Sequence, residues 1–214
     1  MNRPGPTRRF EGCWKRRGCA CVAGVDEAGR GCLAGPVVAG AVVLGRRAPR
    51  GIDDSKRLSR EQRERLLLAL GDSGARIAWA EASPEEIDRL NIRRASFLAM
   101  RRAVERLGVE PDALLVDGFE IPGLGLRQRA LIHGDALSVS IAAASIVAKV
   151  TRDRAMRALA ETLPGYGFER HFGYPTREHL AALERLGPTP WHRRSFEPVR
   201  RVLAGQLELG AMRE

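Results

Sequence analysis

Apolar residues along this chain fall into two rhythms. Unbroken runs at 19–26, 36–44 and 113–116 stop at polar residues with glycine close by. Runs of that length predict buried strands. Segments 76–81 and 129–132 predict two further strands. The second rhythm is helical and carries its own start signals. Ser59-Arg60-Glu61-Gln62 and Ser83-Pro84-Glu85-Glu86 are capping-box patterns, the second with proline at the first helical position. They open helices over 59–70, closed by Gly71, and over 83–90. Asn91 can cap a longer helix with Ile92, Ala95, Ala99 and Ala103 on one stripe, ending at Gly108. Residues 138–163 predict a long alanine-rich helix, whose small side chains allow close approach to a sheet. Thr176 can cap a helix to residue 186. Segment 46–57, polar and holding Pro49 and Gly51, reads as a loop. Strands and helices mix in one α/β layer system with a helical C-terminal part.

Three strings interrupt the apolar runs with acid: Val25-Asp26-Glu27-Ala28-Gly29-Arg30-Gly31, Val116-Asp117-Gly118 and Gly134-Asp135. Carboxylates at strand ends gather on one rim of a sheet. Gathered there, like charges raise one another's pKa unless a cation sits among them. All-oxygen ligands suit a hard divalent ion, Mg²⁺ or Mn²⁺. Gly29-Arg30-Gly31 adds exposed backbone donors and one cation. Acid cluster plus donor loop predicts metal-assisted phosphoryl chemistry. Each acid has a plainer reading. Asp26-Glu27 could be a solvated turn, Asp117-Gly118 a hairpin turn, and Asp135 a helix N-cap.

Composition narrows the partner. The 214 residues suit one domain, and 44% hydrophobic content supports a core. The formal net charge of +10 favours a polyanion, nucleic acid first and an acidic membrane surface second. Lysine occurs only at Lys15, Lys56 and Lys149; every other residue among the 36 basic ones is arginine. Lys56 and Lys149 are therefore candidate positions where arginine is not equivalent. Cys13, Cys19, Cys21 and Cys32 match no common zinc spacing and are expected to be reduced thiols of a cytoplasmic protein. The apolar stretch before Asp26 is too short for a translocation core, and the stretch after Cys32 carries Pro36 and glycines, so no membrane association is expected. Residues 1–18 are expected to form a basic, flexible tail, and 19–214 a single domain.

Taken in order, these strings resemble one family. Val25 to Gly31, then Leu33-Ala34-Gly35-Pro36, Asp54-Ser55-Lys56, Val116-Asp117-Gly118, Gly134-Asp135, Ala142 to Asp153, and Tyr166-Gly167-Phe168 with His171 and Gly173-Tyr174-Pro175-Thr176 are similar to ribonuclease HII. The resemblance implies a ribonuclease H-like mixed sheet flanked by helices. It implies an endonuclease that cuts the RNA strand of RNA–DNA hybrids and cuts 5′ to single ribonucleotides in duplex DNA, as in ribonucleotide excision repair. The ends left are 3′-hydroxyl and 5′-phosphate.

Carried over by motif, Asp26, Glu27, Asp117 and Asp135 are the metal-binding catalytic acids of a two-metal site holding Mg²⁺ or Mn²⁺ in the substrate complex. Gly29, Arg30 and Gly31 resemble the loop that reads the ribose 2′-hydroxyl, and Tyr174 the tyrosine at the RNA–DNA junction, with Tyr166 its rival. Ser55, Lys56, Lys149 and His171 are further candidates for substrate contact. Cys32, His133 and Phe172 stand where the family more often has proline, lysine and lysine. A monomer is expected on the resemblance. Gln206-Leu207-Glu208-Leu209 resembles the start of the peptide that holds a sliding clamp but lacks its closing aromatic; a frayed tail is the plainer reading. A non-catalytic nucleic-acid-binding module and a magnesium-dependent phosphatase are the competing functions. A mere binder has no use for four carboxylates in a basic chain, and a loop suited to a 2′-hydroxyl favours a polymer over a small ester.

Overall fold

The computed structural model describes residues 5–211, with side chains up to residue 205. The chain forms two compact units. The first holds the residues up to Ala28, Val38–Glu81 and Ser96–Thr151; the second holds Gly29–Val37, Ala82–Ala95 and the residues from Arg152 onward.

Five strands make one mixed sheet: β1 (Val22–Ala28), β2 (Val37–Val43), β3 (Arg76–Ala82), β4 (Ala113–Asp117) and β5 (Arg127–Leu131), in the order β3-β2-β1-β4-β5. β1 pairs antiparallel with β2 and parallel with β4, and β4 pairs parallel with β5. The expected strands are all present, with ends moved by at most three residues. The largest shift is in β1, which starts at Val22 rather than at Cys19 and runs on through Glu27 to Ala28 rather than stopping at Asp26.

The helices are α1 (Arg9–Arg16), α2 (Arg60–Asp72), α3 (Pro84–Leu90), α4 (Ile92–Glu105), α5 (Val139–Thr162), α6 (Phe168–His171), α7 (Arg177–Leu186) and α8 (Glu197–Ala211). Both capping boxes form: Ser59 accepts from the Gln62 amide and Ser83 from the Glu86 amide, with the return bonds in place. Asn91 accepts from the Arg94 amide and Thr176 from the His179 amide. Among the described residues no helix is long and apolar enough to cross a membrane, and no disulfide joins the four cysteines.

The core of the first unit is α5 laid against the sheet. Two strand glycines set the separation. A Cβ on Gly24 would lie 2.1 Å from the Ser140 carbonyl carbon, and one on Gly40 would lie 2.4 Å from the Ala144 oxygen. No rotamer change relieves a clash with backbone. The alanines and serines of α5 answer these glycines, and Ala142, Ala143 and Ala144 are fully buried.

The N-terminal segment departs from the expected flexible tail. It forms α1, whose Phe10 and Trp14 pack on the cluster of Val22, Leu115 and Ile141. Thr7 exchanges backbone hydrogen bonds with the start of α5, donating to Leu137 at 3.1 Å and accepting from Val139 at 3.3 Å. Glu11 is 6% exposed. Its Oε1 accepts from the Ser140 amide at 3.0 Å and from the hydroxyls of Ser138 and Ser140, both at 2.7 Å. A carboxylate from one helix thus caps the N-terminus of another, where orphan amides and the helix dipole favour negative charge. The sequence hid this because the partners lie far apart along the chain. The Gln206-Leu207-Glu208-Leu209 peptide falls in the last turns of α8, and its side chains lie outside the described residues.

Glu11→Ala leaves a buried amide and two hydroxyls without their acceptor. It should lower the unfolding free energy by about 2–3 kcal/mol, read as a lower urea midpoint at unchanged slope. An unmoved midpoint would show that α1 is dispensable.

Candidate active site

Parallel pairing places the first two acids. β1 and β4 are in register up to Val25 beside Val116, so the next residues, Asp26 and Asp117, lie side by side where that pairing stops, Asp117 closing β4 while β1 runs on. After β5 the chain turns through His133, whose φ of 55° lies in the left-handed region, into a short 3-10 turn, Gly134–Ala136, that carries Asp135. The Gly134 amide donates to Asp117 Oδ1 at 2.6 Å. Asp26 Oδ1 accepts from the Glu27 amide at 2.7 Å. Because β1 continues past Asp26, neighbouring side chains alternate faces there, and Glu27 acts on Asp26 chiefly through its charge.

Asp26 and Asp135 are buried, 5% and 4% exposed. The Asp26 carboxyl is held well above the usual carboxylate range, by burial first and then by the charges of Glu27, Asp117 and Asp135. Asp117 is also raised, by burial first, with the charge of Asp135 adding to it while the Gly134 amide and Lys56 pull the other way. The four acids named from sequence are therefore one electrostatic cluster, lying wholly within the first unit.

Lys56 supplies the opposite charge. Its Nζ lies 3.2 Å from Asp135 Oδ2 and 3.9 Å from Asp54 Oδ1. The Lys56 pKa is raised despite the opposing effect of burial, because Asp135 both attracts and hydrogen-bonds the ammonium and Asp54 and Asp26 add to it. Ser55 has a structural part instead. It is buried, its amide donates to Ser145 Oγ at 3.3 Å, and its carbonyl accepts from Arg63 at 2.8 Å. This turn sets Lys56 beside the acids. Lys149 lies half-buried on α5.

The donor chemistry suits a hard divalent cation. The cluster offers carboxylate oxygens only, and each carboxylate has about four lone-pair positions, of which Asp26, Asp117 and Asp135 each use few. The raised carboxyls and the ammonium drawn to Asp135 show that the cluster wants positive charge. Among the described residues no three acidic, His or Cys side chains stand so as to hold a metal ion on their own. Magnesium rarely needs such a set, since it binds through one or two carboxylates, water and substrate phosphate.

The remaining candidates belong to the second unit. Gly29 has φ +95°, and a Cβ there would lie 2.0 Å from Arg152 Nε, so glycine is required twice over. Arg30 is exposed, and around Gly31 there is open space.

Two fully buried arginines gather this loop's carbonyls. Arg152 donates to Pro36 O at 3.0 Å, Ala34 O at 3.1 Å and Phe172 O at 2.9 Å. Arg193 donates to Gly35 O at 3.0 Å and Arg30 O at 2.9 Å. Burial lowers the Arg193 pKa to about 10. Their role was not read from the sequence, although Arg152 carried a signal: it continues the buried stripe of Ala148 and Met156 along α5, where a cation needs partners.

Of the two tyrosines, Tyr166 is buried, with its hydroxyl on Gly187 O at 2.5 Å and its ring stacked on Phe168. Tyr174 is 38% exposed, and its ring lies 5.9 Å from the Arg152 guanidinium carbon. Burial first, then the neighbouring Cys32, raise its hydroxyl above the usual phenol range; Cys32 also accepts its hydrogen bond. His171 is not placed for substrate contact. It is buried, its Nε2 faces Tyr166 O at 2.7 Å, and its Nδ1 accepts from the Gly173 amide at 3.2 Å.

The fold carrying this cluster is that of the ribonuclease H enzymes. The crystal structure of ribonuclease H2 from Pyrococcus horikoshii OT3 superposes with a TM-score of 0.71 at 30% identity, over 85% of this chain and 96% of that one. A ribonuclease HII from Rhodospirillum rubrum is 59% identical over 189 residues, 86% of this chain and 87% of that protein. One from Anaeromyxobacter sp. (strain Fw109-5) is 57% identical over 91% of this chain, which spans 62% of that relative's length. Residues 23–199 match the ribonuclease HII family, and the chain belongs to that family of endoribonucleases.

Asp26→Asn should stabilise the metal-free protein at neutral pH. A carboxyl raised in the folded state binds more protons than in the unfolded one, so its contribution to stability falls as pH rises above the ordinary carboxylate range. The amide removes that loss and can still accept from the Glu27 amide. A melting temperature higher by about 2–4 °C at pH 7, roughly 1 kcal/mol for a chain of this size, with the gain vanishing near pH 4, is the expected result. A lower melting temperature at pH 7 would refute the repulsive cluster.

Proposed function

We propose that this chain is a divalent-metal-dependent endonuclease acting on the RNA strand of RNA–DNA hybrids and 5′ to single ribonucleotides in duplex DNA, leaving 3′-hydroxyl and 5′-phosphate ends. The observation that carries the reading is the cluster of Asp26, Glu27, Asp117 and Asp135, mutually destabilised and already drawing in Lys56, on a chain of net charge +10. Asp26, Asp117 and Asp135, with Glu27 beside them, would hold Mg²⁺ or Mn²⁺. Two such ions supply phosphodiester hydrolysis with an activated water and a stabilised leaving oxygen.

The other steps belong to this chain's own residues. Lys56 shields Asp135 and must release it when positive charge arrives from elsewhere. Telling RNA from DNA requires a group that both donates to and accepts from the 2′-hydroxyl. In Gly29-Arg30-Gly31 the Arg30 carbonyl is committed to Arg193, and the open space around Gly31 leaves its backbone for that task. Tyr174 offers an exposed ring to a sugar. A non-catalytic binder explains the charge but not the cluster.

The test is a duplex bearing one ribonucleotide, incubated with and without EDTA. Cleavage 5′ to the ribonucleotide should stop with chelator and return with excess Mg²⁺ or Mn²⁺. Asp135→Asn and Asp117→Asn should fold and lose at least about 10²-fold in rate. Replacing the ribonucleotide by its 2′-deoxy or 2′-O-methyl form should abolish cutting. Undiminished cleavage in EDTA, or by either variant, would sink the proposal.

A further inference from the structure

Three histidines lie buried in the second unit: His171, His179 and His192. The rings of His171 and His179 stack with centroids 4.5 Å apart and planes 13° apart. The Nε2 atoms of His179 and His192 are 3.2 Å apart.

Their neighbours fix every proton. His179 Nδ1 lies 2.9 Å from the Tyr174 carbonyl oxygen, which can only accept, so Nδ1 carries hydrogen. His192 Nδ1 receives the Thr189 amide at 3.0 Å, so it is an acceptor and Nε2 carries the hydrogen. His192 Nε2 therefore donates to His179 Nε2. The result is a one-way chain from the Thr189 amide through His192 and His179 to the Tyr174 carbonyl. His171 completes the hold, because the Tyr174 amide donates to its carbonyl at 2.9 Å. Both backbone polar groups of Tyr174 thus meet histidines, its carbonyl accepting from the Thr176 amide at 2.8 Å as well.

The chain requires His179 and His192 to be neutral. Burial, above all, holds His179 and His192 down to about 4, and His171 opposes the charging of both, joined at His192 by His179.

We propose that His179 and His192 are positioning residues for Tyr174, fixing by a directional hydrogen-bond chain the backbone from which its ring reaches the ribonucleotide. The proposal rests on the reading of Tyr174 given above. Apolar side chains would fill the same volume without the cost of burying imidazoles. What the imidazoles add is direction. Their chain ends on the backbone of an exposed aromatic, whereas the rings themselves, each 7% exposed or less, can touch no substrate.

Tautomers test the chain without any assay of activity. In protein labelled with ¹⁵N-histidine, long-range proton–nitrogen correlations at pH 7 should show His179 in the Nδ1–H form and His192 in the Nε2–H form. Any other assignment for either residue overturns the proposal.

The functional half uses the single-ribonucleotide duplex. His192→Phe should raise KM about tenfold with kcat within about twofold. His179→Asn keeps a donor for the carbonyl and should stay within about threefold of the parent. In a Tyr174→Ala background His192→Phe should add nothing, as expected for residues acting in series. A KM increase of equal size in that background would overturn the proposal. A Tyr174→Ala protein that binds and cuts like the parent would refute the prior reading of Tyr174, whatever the tautomers show.

Discussion

Like charge forced together is the constraint around which the first unit is organised. Parallel pairing of β1 with β4 sets Asp26 beside Asp117, and the turn after β5 brings Asp135 within their field. Burial makes that repulsion costly, because it removes the water that would screen it. The surroundings answer with single, well-placed donors: the Glu27 amide on Asp26, the Gly134 amide on Asp117 and the Lys56 ammonium on Asp135. None of these neutralises the cluster. A protein concerned only with stability would have replaced at least one acid. Keeping all of them is intelligible if the charge is there for a ligand.

The second unit handles charge the other way. Arg152 and Arg193 are buried among backbone carbonyls, His171 is buried, and burial holds His179 and His192 neutral. Turning the carbonyls of Arg30, Ala34, Gly35 and Pro36 inward onto guanidinium groups stiffens the loop. An ordinary loop would leave those carbonyls to water. Gly29 records the tightness of this arrangement, since the Arg152 side chain already fills the place a Cβ would take.

Much of this was legible in the sequence, and what was not has a common cause. Strands, capping boxes and the four acids are local signals: a run, a spacing, a residue at a strand end. Ser59, Ser83, Asn91 and Thr176 cap as their neighbours demand. The failures are long-range. Glu11 reads as one more charge in a basic tail until Ser138 and Ser140 are brought to it. His171 reads as a phosphate contact until its two nitrogens are seen to be spent on Tyr166 and Gly173. The extension of β1 past Asp26 depends on β2 lying alongside, with Glu27 opposite Ala39 and Ala28 opposite Val38. The motif singles out Tyr174 over Tyr166, but that Tyr174 is exposed and Tyr166 buried is a matter of packing that neighbouring residues in sequence do not reveal.

Lys56 gives the cluster a resident counter-ion on a tether. Its side chain is 78% exposed while its ammonium rests on a carboxylate that is 6% exposed, so the charge can be withdrawn into water at little cost in packing. Divalent binding at this site would then be an exchange, one positive occupant for another, and its apparent affinity would measure a difference between two tenants, never the full attraction of the carboxylates. Such a site stays partly neutralised when vacant and releases its ion more readily than the bare acids would. Arginine, whose fork would grip the carboxylate at two points, would make a poorer tenant because it would leave more slowly. In a chain that uses arginine almost everywhere else, that is a physical reason for lysine at this position.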